Sequence, residues 1–471
     1  MSGTDKKAER PSRPWRDNLE AITVSVIIIV LFKYFTLEAY KIPTGSMQPT
    51  LMGWTDKENG GGIFDRVLVD KLSPHYTDYD RYEIVVFKYP LNTSMSFIKR
   101  ILGMPGEHLE IRNGDVWRSD GGNAPLEVLH APRRIQDTQF KKLRTANEWK
   151  LDRTWVETDG TIVGDGPGQA RFPRRSQSVR DHFSDGYPGL MVDRVKGIGK
   201  ESATNAVGDL RVTCDVEPAA DCDVVRVSIQ EGRRTYVLEI PGPAAAADAK
   251  VKGIIADDRS DTADLTRVAE SDVRFEAGSS YAILAQNIND RVTLEIDGDV
   301  VLEFDVAACP QDELRVRSGI ELATSGGGGE FQDVEVSRDI YYTASSRQQS
   351  SWDIPEDCYV MLGDNTQDSS DSRDWTLVGY RMKSDPSIEI WGNQRGSENP
   401  VRTAGADGSG PMLYFRDQLG ELHVLREREV ESLGTKPSRF VHRSLIRGRA
   451  IVVVWPPYVP SLEVSRLQWV R

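Results

Sequence analysis

The sequence predicts a mainly β protein that begins with a transmembrane helix and carries an inserted β-sandwich within a β domain. An uncharged apolar run stands near the N-terminus, from Ala21 to Phe32. Short β-branched runs separated by polar turns follow it, as between Asp65 and Phe87. From about residue 145 to 345, repeated short strands with turn signals change the character of the chain, which is typical of a β-sandwich.

The N-terminal segment is expected to cross a bilayer once. The stretch from about Asn18 to Leu37 just meets the roughly 20 residues that a spanning helix needs. Several Lys and Arg residues lie before it, which predicts a cytosolic N-terminus over 1–17 and an extracytoplasmic location for everything after Tyr40. A cleaved signal peptide is the competing interpretation, but no small-residue cleavage pattern follows the run. The sequence therefore predicts a single-pass protein of a bacterial plasma (inner) membrane, with the lipid bilayer as a partner.

Length and charge limit the other function classes. The chain has 471 residues, enough for two or three domains, and its net charge of −13 argues against nucleic acid as the main partner. Of its 4 cysteines, Cys214 and Cys222 flank a predicted turn. They are expected either to form a disulfide, if that region is exported, or to be buried thiols.

The central stretch contains clear hairpin signals. Apolar residues alternate over 292–296 and again over 300–306, on either side of the dipeptide Asp297-Gly298. A second pair of alternating runs surrounds Gly232. The stretch is weakly similar to concanavalin-like jelly rolls, some of which bind sugars. This similarity implies a glycan or another envelope component as a candidate partner of the insert.

A serine and a lysine carry the chemistry that the sequence suggests. Ser46 follows the apolar segment, and its hydroxyl needs a base to become a nucleophile. Lys99 stands between Phe97 and Ile101 on one face of a predicted strand, and desolvation there would lower its pKa. None of the 6 histidines stands in a recognisable triad motif, which favours a Ser-Lys dyad over a Ser-His-Asp triad.

No metal or other cofactor is predicted. Asp368, Asp371 and Asp374 form an acidic cluster, but their Ser-rich setting lacks the carbonyl spacing of a calcium loop.

Six segments resemble, in the same order, those of bacterial type I signal peptidase. They are residues 42–51, 65–71, 82–90, 96–107, 363–373 and 441–456. The resemblance implies that Ser46 is the nucleophile and Lys99 the general base. Thr44 would supply an oxyanion-hole hydroxyl beside the Ser46 backbone N–H, and Ser369 would orient the lysine amine.

The resemblance also assigns supporting residues. Asp371 and Arg373 would form a structural ion pair, and Asp364 and Asn365 would shape the floor of the site. Gly363 would also support the site. Shallow substrate pockets would be lined by Ile42, Pro43 and Ile98. The sequence departs from the family pattern at Thr366-Gln367, where a charged residue is more common. Arg100 is expected to face solvent, on the opposite side of the strand from Lys99.

The expected organisation alternates catalytic and inserted segments. The predicted order is a cytosolic N-terminus (1–17), a transmembrane helix (18–37), a first catalytic segment (38–144), an inserted β-sandwich (145–345), a second catalytic segment (346–384), a small insertion (385–437) and a third catalytic segment (438–471). The sandwich is expected to fold independently and to tolerate excision, because its strand signals are self-contained.

The expected function is that of a membrane-bound serine endopeptidase. It would remove signal peptides from secretory pre-proteins through Ser46, Lys99 and an acyl-enzyme. One alternative is a catalytically inactive, membrane-anchored scaffold that binds a glycan or envelope partner. A self-cleaving Ser-Lys repressor is a further alternative, which the absence of a helix-turn-helix pattern disfavours.

Overall fold

The computed structural model describes residues 14–55, 62–121, 124–175, 178–187, 191, 205–257, 266–309, 313, 317–343, 350–396, 398–404, 410–460 and 464–470. Most of the predicted N-terminus (1–17) lies outside these residues, as does most of the segment 345–351, which the sequence suggests as a linker leaving the insert. The described helices are α1 (Pro14–Phe35) and α2 (Arg133–Gln139). The described remainder is mainly β, as the sequence predicts.

The strands before α2 belong to the first catalytic segment. They are β1 (Leu37–Lys41), β2 (Gly53–Thr55), β3 (Gly62–Phe64), β4 (Arg66–Asp70), β5 (Ile84–Tyr89), β6 (Asn92–Gly103), β7 (His108–Arg112), β8 (Asp115–Ser119) and β9 (Glu127–Val128).

The strands after α2 form the insert. They are β10 (Lys141–Lys142), β11 (Lys150–Leu151), β12 (Trp155–Thr158), β13 (Thr161–Gly164), β14 (Gly168–Phe172), β15 (Leu210–Pro218), β16 (Val224–Glu231), β17 (Arg234–Pro241), β18 (Val251–Asp257), β19 (Thr266–Ser271), β20 (Tyr281–Ile288), β21 (Arg291–Ile296), β22 (Asp299–Asp305), β23 (Ser318–Ser325) and β24 (Gly329–Arg338).

The chain then returns to the predicted catalytic domain. Its strands there are β25 (Ser351–Asp353), β26 (Cys358–Leu362), β27 (Thr376–Met382), β28 (Glu389–Asn393), β29 (Val401–Ala404), β30 (Pro411–Arg416), β31 (Leu422–Arg426), β32 (Val430–Pro437), β33 (Val441–His442), β34 (Ile446–Trp455), β35 (Tyr458–Val459), β36 (Val464–Ser465) and β37 (Gln468–Trp469).

The predicted catalytic domain is built on one sheet whose strands come from distant segments of the chain. Its strand order is β1-β4-β34-β5-β6-β26-β33, with β37 paired to β34. Strands from the N-terminal and C-terminal segments therefore lie side by side. A second sheet, β25-β7-β8-β9, contains the Asn113-Gly114 hairpin, where both residues have positive φ. This sheet topology places β6, which carries Lys99, between β5 and β26.

The insert is a two-sheet sandwich, as the sequence predicts. One sheet has the order β12-β13-β24-β15-β20-β21-β22 with β10 on β24, and the other β11-β14-β23-β16-β17-β18-β19. Alternate residues of both sheets meet in one core, exemplified by Val227, Leu238 and Leu294. The predicted turn at Asp297-Gly298 joins β21 to β22, and Gly232 joins β16 to β17. Cys214 and Cys222 are buried thiols and not a disulfide.

The expectation of an N-terminal transmembrane helix is wrong. Helix α1 has 22 residues, yet no helix of the described chain combines the length and apolar character needed to cross a bilayer. The reason lies in the sequence, because the uncharged run from Ala21 to Phe32 is bounded by Glu20 and Lys33. At 1.5 Å per residue this run is about 18 Å long, against roughly 30 Å of hydrocarbon.

Candidate active site

The loop after β1 presents Ser46 in a tight turn. The Gln48 N–H donates to the Gly45 carbonyl at 3.0 Å, and the Leu51 N–H donates to the Met47 carbonyl at 2.9 Å. Met47 and Leu51 are fully buried, whereas Ser46 is partly exposed. The buried apolar side chains therefore anchor the loop and leave the serine hydroxyl at its surface.

The structure brings Ser46 and Lys99 together. Lys99 Nζ lies 2.5 Å from Ser46 Oγ, although 53 residues separate them in the chain. Lys99 comes from β6, opposite Val85 of β5, and only 2% of its surface is exposed. The Phe97 ring, 5.7 Å from the amine, adds to an environment with little water.

Burial changes the protonation of this lysine. Desolvation lowers the pKa of Lys99 to about 8, because the ammonium form loses its hydration. The Asp371 carboxylate acts in the opposite direction, and Arg373 adds to the lowering. A substantial fraction of the amine is then neutral near pH 8 and able to accept a proton from a hydroxyl at hydrogen-bonding distance.

The loop after β26 lies against the serine loop. The Asn365 N–H donates to the Ser46 carbonyl at 3.2 Å, and Asn365 Nδ2 donates to the Gly45 carbonyl at 3.0 Å. A Cβ atom at Gly363 would collide with the Ser46 carbonyl and with the Ser369 side chain. Only glycine permits this approach of the two loops.

The predicted pairing of Asp371 with Arg373 is present as a buried contact. Arg373 Nε donates to Asp371 Oδ1 at 2.8 Å, and Arg373 Nη2 donates to Oδ2 at 2.7 Å. Arg373 holds the pKa of Asp371 below its usual value despite burial. The Gly363 N–H donates to the same carboxylate at 3.0 Å, so the ion pair also fixes the start of the loop.

The other sequence-predicted residues differ in their burial and contacts. The buried Ser369 Oγ faces the Asp371 carboxylate, whose pKa it helps to lower, and it makes no hydrogen bond with Lys99 in the described structure. Thr44 and Pro43 are exposed. Ile42 is only 2% exposed and packs in the core, with Ile98 partly buried against the same cluster.

Arg100 is buried, contrary to the expectation that it faces solvent. Its Nε donates to Asp364 Oδ1 at 2.8 Å and its Nη2 to Oδ2 at 2.7 Å. Thr50 Oγ1 also donates to Asp364, at 2.6 Å. Arg100 holds the pKa of Asp364 down, so the two groups form an ion pair with fully buried side chains directly behind Lys99.

Sequence reasoning missed two further residues near the site. Lys141 lies on β10, just before the expected start of the insert, and its buried amine has a pKa of about 8 through desolvation. Tyr187 belongs to the insert, and its hydroxyl bonds Gln48. No local pattern marks these residues, because their role comes from contact between segments far apart in sequence.

Comparison with known proteins finds similarity to signal peptidases. The family model of signal peptidase, peptidase S26, matches residues 15–162 and 305–384, together just under half of the chain. A probable signal peptidase I-2 of Synechocystis is 33% identical over 146 residues, which is 29% of this chain and 62% of that protein. A probable signal peptidase I-1 of the same organism is 32% identical over 129 residues, or 25% and 60%. The chain thus spans about three-fifths of the length of these relatives.

Three further similarities are weaker. An inactive signal peptidase IA of Staphylococcus aureus is 25% identical over 145 residues, 31% of this chain and 68% of that protein. The carbohydrate binding module CBM66 from Bacillus subtilis covers 40% of this chain and 93% of its own, at 13% identity and a TM-score of 0.25. A galectin of Caenorhabditis elegans covers 29% and 86%, at 11% identity and a TM-score of 0.21. By its family model and sequence relatives the chain resembles signal peptidases of the peptidase S26 family, and the gap between its two matched segments falls within the inserted β-sandwich.

Proposed function

We propose that this protein is a serine endopeptidase that removes signal peptides from exported pre-proteins, with Ser46 as nucleophile and Lys99 as general base. The observation that carries the proposal is the 2.5 Å approach of a buried lysine amine to a partly exposed serine hydroxyl. A solvated lysine remains protonated at neutral pH and cannot serve as a base, whereas a desolvated one can.

The proposed reaction has two halves. The neutral Lys99 amine takes the Ser46 proton while Oγ attacks the scissile carbonyl, and the resulting ammonium then protonates the leaving amine of the mature protein. An acyl ester between Ser46 and the signal peptide remains. Water, deprotonated by Lys99, attacks this ester and releases the signal peptide. Thr44 is proposed to donate its hydroxyl to the oxyanion beside the Ser46 N–H.

Substrate selection is proposed to depend on the apolar surface beside the dyad. Pro43 is exposed and Ile98 is partly exposed next to the serine loop. Ile42 is buried, so it would support this apolar surface from the core side. A shallow apolar surface of this kind accepts small residues before the scissile bond, which is the pattern at signal-peptide cleavage sites.

A catalytically inactive binding scaffold is the alternative function. The Ser46–Lys99 contact favours the peptidase, because a scaffold has no need of a buried lysine beside a serine hydroxyl. Incubation of the purified protein with a pre-protein, followed by mass spectrometry of the products, separates the two. Cleavage after a small residue at the signal-peptide junction supports the peptidase, and intact pre-protein under all conditions supports the scaffold.

The pKa of Lys99 predicts how cleavage depends on pH. Only the neutral amine is active, so kcat/KM should rise with pH through an apparent pKa of about 8 and level off above it. The pKa of Lys99 lies below the usual lysine value because burial disfavours the charged form. Steady-state cleavage of a short peptide at pH values on both sides of this pKa measures the dependence.

Lys141 is the matched control for the pH profile. Its buried amine has the same pKa of about 8 but makes no hydrogen bond with any described residue. Lys141→Met should therefore leave the apparent pKa of cleavage in place. A flat profile, or loss of the pH dependence in Lys141→Met, would contradict the assignment to Lys99.

A further inference from the structure

The insert does not stand apart from the active site. Residues 178–187 lie between β14 and β15 of the sandwich, yet they reach the two catalytic loops. Tyr187 shares an apolar cluster with Met52 and Ile63 of the catalytic domain. Gly186, with a φ of +77°, approaches Pro49 so closely that a Cβ atom would lie 2.9 Å from Pro49 Cγ.

One contact reaches the serine loop. The Tyr187 hydroxyl donates to Gln48 Oε1 at 2.5 Å, and both residues are buried. Gln48 Nε2 has no hydrogen-bond partner among the described residues, so Tyr187 is what fixes this amide. The Gln48 side chain in turn covers Gly45, where a Cβ atom would be 2.9 Å from Oε1. A fixed Gln48 therefore fixes the turn that presents Ser46.

A second contact reaches the loop that carries Ser369. Gln367 Nε2 donates to the Asp181 carbonyl at 2.5 Å. Gln367 belongs to Thr366-Gln367, where the sequence departs from the family pattern. The departure coincides with the place where the insert contacts the catalytic domain. Two residues earlier, Asn365 bonds the backbone of the serine loop, so the two loops are tied to each other beside this contact.

The contacting segment is itself anchored to the sandwich. Asp185 accepts a hydrogen bond from Arg338 Nε at 2.6 Å in a largely buried ion pair. The Val179 N–H donates to Ser318 Oγ at 2.9 Å, and the Asp181 carboxylate accepts from the Asn205 N–H at 2.8 Å. Arg338 belongs to β24 and Ser318 to β23, which lie in different sheets of the sandwich. Both sheets therefore hold the segment in place.

We propose that residues 178–187 of the insert position the catalytic loops, with Tyr187 acting on the Ser46 turn through Gln48 and Asp181 acting on the Ser369 loop through Gln367. The inference rests on the proposed function, since it concerns the same site. Tyr187 is a positioning residue, because it acts through Gln48. Small displacements of a nucleophile are costly in rate. We therefore expect the Tyr187–Gln48 hydrogen bond to have a measurable effect on kcat.

The test is a double-mutant cycle with Tyr187→Phe and Gln48→Leu. Tyr187→Phe keeps the ring in its cluster and removes only the hydroxyl. We expect kcat to fall on the order of tenfold with KM nearly unchanged, and Tm to fall modestly because the buried Gln48 amide loses its partner. In the Gln48→Leu background the same change should cause no further loss, because the acceptor is already absent. Tyr281→Phe is the control, since this insert tyrosine hydroxyl accepts the Glu276 N–H instead.

A second measurement keeps this test separate from the test of the proposed function. Hydrogen–deuterium exchange of residues 44–48 should be faster in Tyr187→Phe than in the wild type or in Tyr281→Phe, whether or not a pre-protein is cleaved. Failure of the wild type to cleave any pre-protein would overturn the peptidase and leave the exchange result to decide the positioning. Unchanged exchange, or an equal loss of kcat in both Gln48 backgrounds, would overturn the positioning role.

Discussion

Ser46→Ala is expected to abolish cleavage of pre-proteins, and Lys99→Arg to lower kcat by about 10²–10⁴-fold. The serine oxygen forms the acyl bond, so its removal leaves no covalent route. Arginine retains the positive charge and the length of lysine, but its guanidinium does not lose a proton in proteins and cannot act as a base. Single-turnover cleavage of a pre-protein, analysed by gel and mass spectrometry, measures both variants.

Lys88→Arg is the matched control for the lysine exchange. Lys88 lies in the neighbouring strand β5 and is partly exposed, so the same chemical change there should leave kcat unaltered. Circular dichroism should show all variants folded. Substantial turnover by Lys99→Arg would contradict the role of this lysine as base, whereas activity of Ser46→Ala would exclude the serine as nucleophile.

The sequence was most informative where function depends on local pattern. The stretches around Ser46 and Lys99 predicted a nucleophile and a buried amine. The structure places Ser46 Oγ and Lys99 Nζ 2.5 Å apart. The alternation up to and away from Asp297-Gly298 predicted a hairpin because a strand has a period of two residues. Both inferences need only neighbouring residues.

The sequence was misleading where a property depends on tertiary packing. Strand alternation placed Arg100 on the face opposite Lys99 and suggested solvent there. The second half of β6, from Lys99 to Gly103, is buried on both faces, however, and Arg100 meets a carboxylate 264 residues away. The contact between Tyr187 and Gln48 likewise spans 139 residues. No periodicity of the insert indicates that it touches the catalytic domain.

Contacts between distant segments also argue against the expected independence of the insert. An excisable domain should make few contacts beyond its own boundaries. Asp181 and Tyr187 bond both catalytic loops, so replacement of the whole insert by a linker would remove two supports of the site together with the sandwich. Single substitutions in the 178–187 segment are therefore more informative than excision.

Arg100→Met is expected to destabilise the catalytic domain by about 3–5 kcal/mol. Both side chains of the Arg100–Asp364 pair are fully buried, and Arg100 also donates to the Tyr82 carbonyl at 2.9 Å. Removal of the guanidinium leaves the Asp364 carboxylate without its main counter-charge and takes a donor from a buried carbonyl. Denaturant unfolding followed by tryptophan fluorescence measures the loss.

Arg112→Met provides the comparison in the same domain. Arg112 also binds a carboxylate with two nitrogens, Glu110 at 2.8 and 2.9 Å, but its side chain is 47% exposed. Water solvates both partners of such a pair, so its loss should cost no more than about 1 kcal/mol. The double variant Arg100→Met/Asp364→Leu should recover part of the stability, because it removes the buried charge that Arg100→Met leaves behind. Equal effects of Arg100→Met and Arg112→Met, or no recovery in the double variant, would mean that packing and not the buried charge dominates behind Lys99.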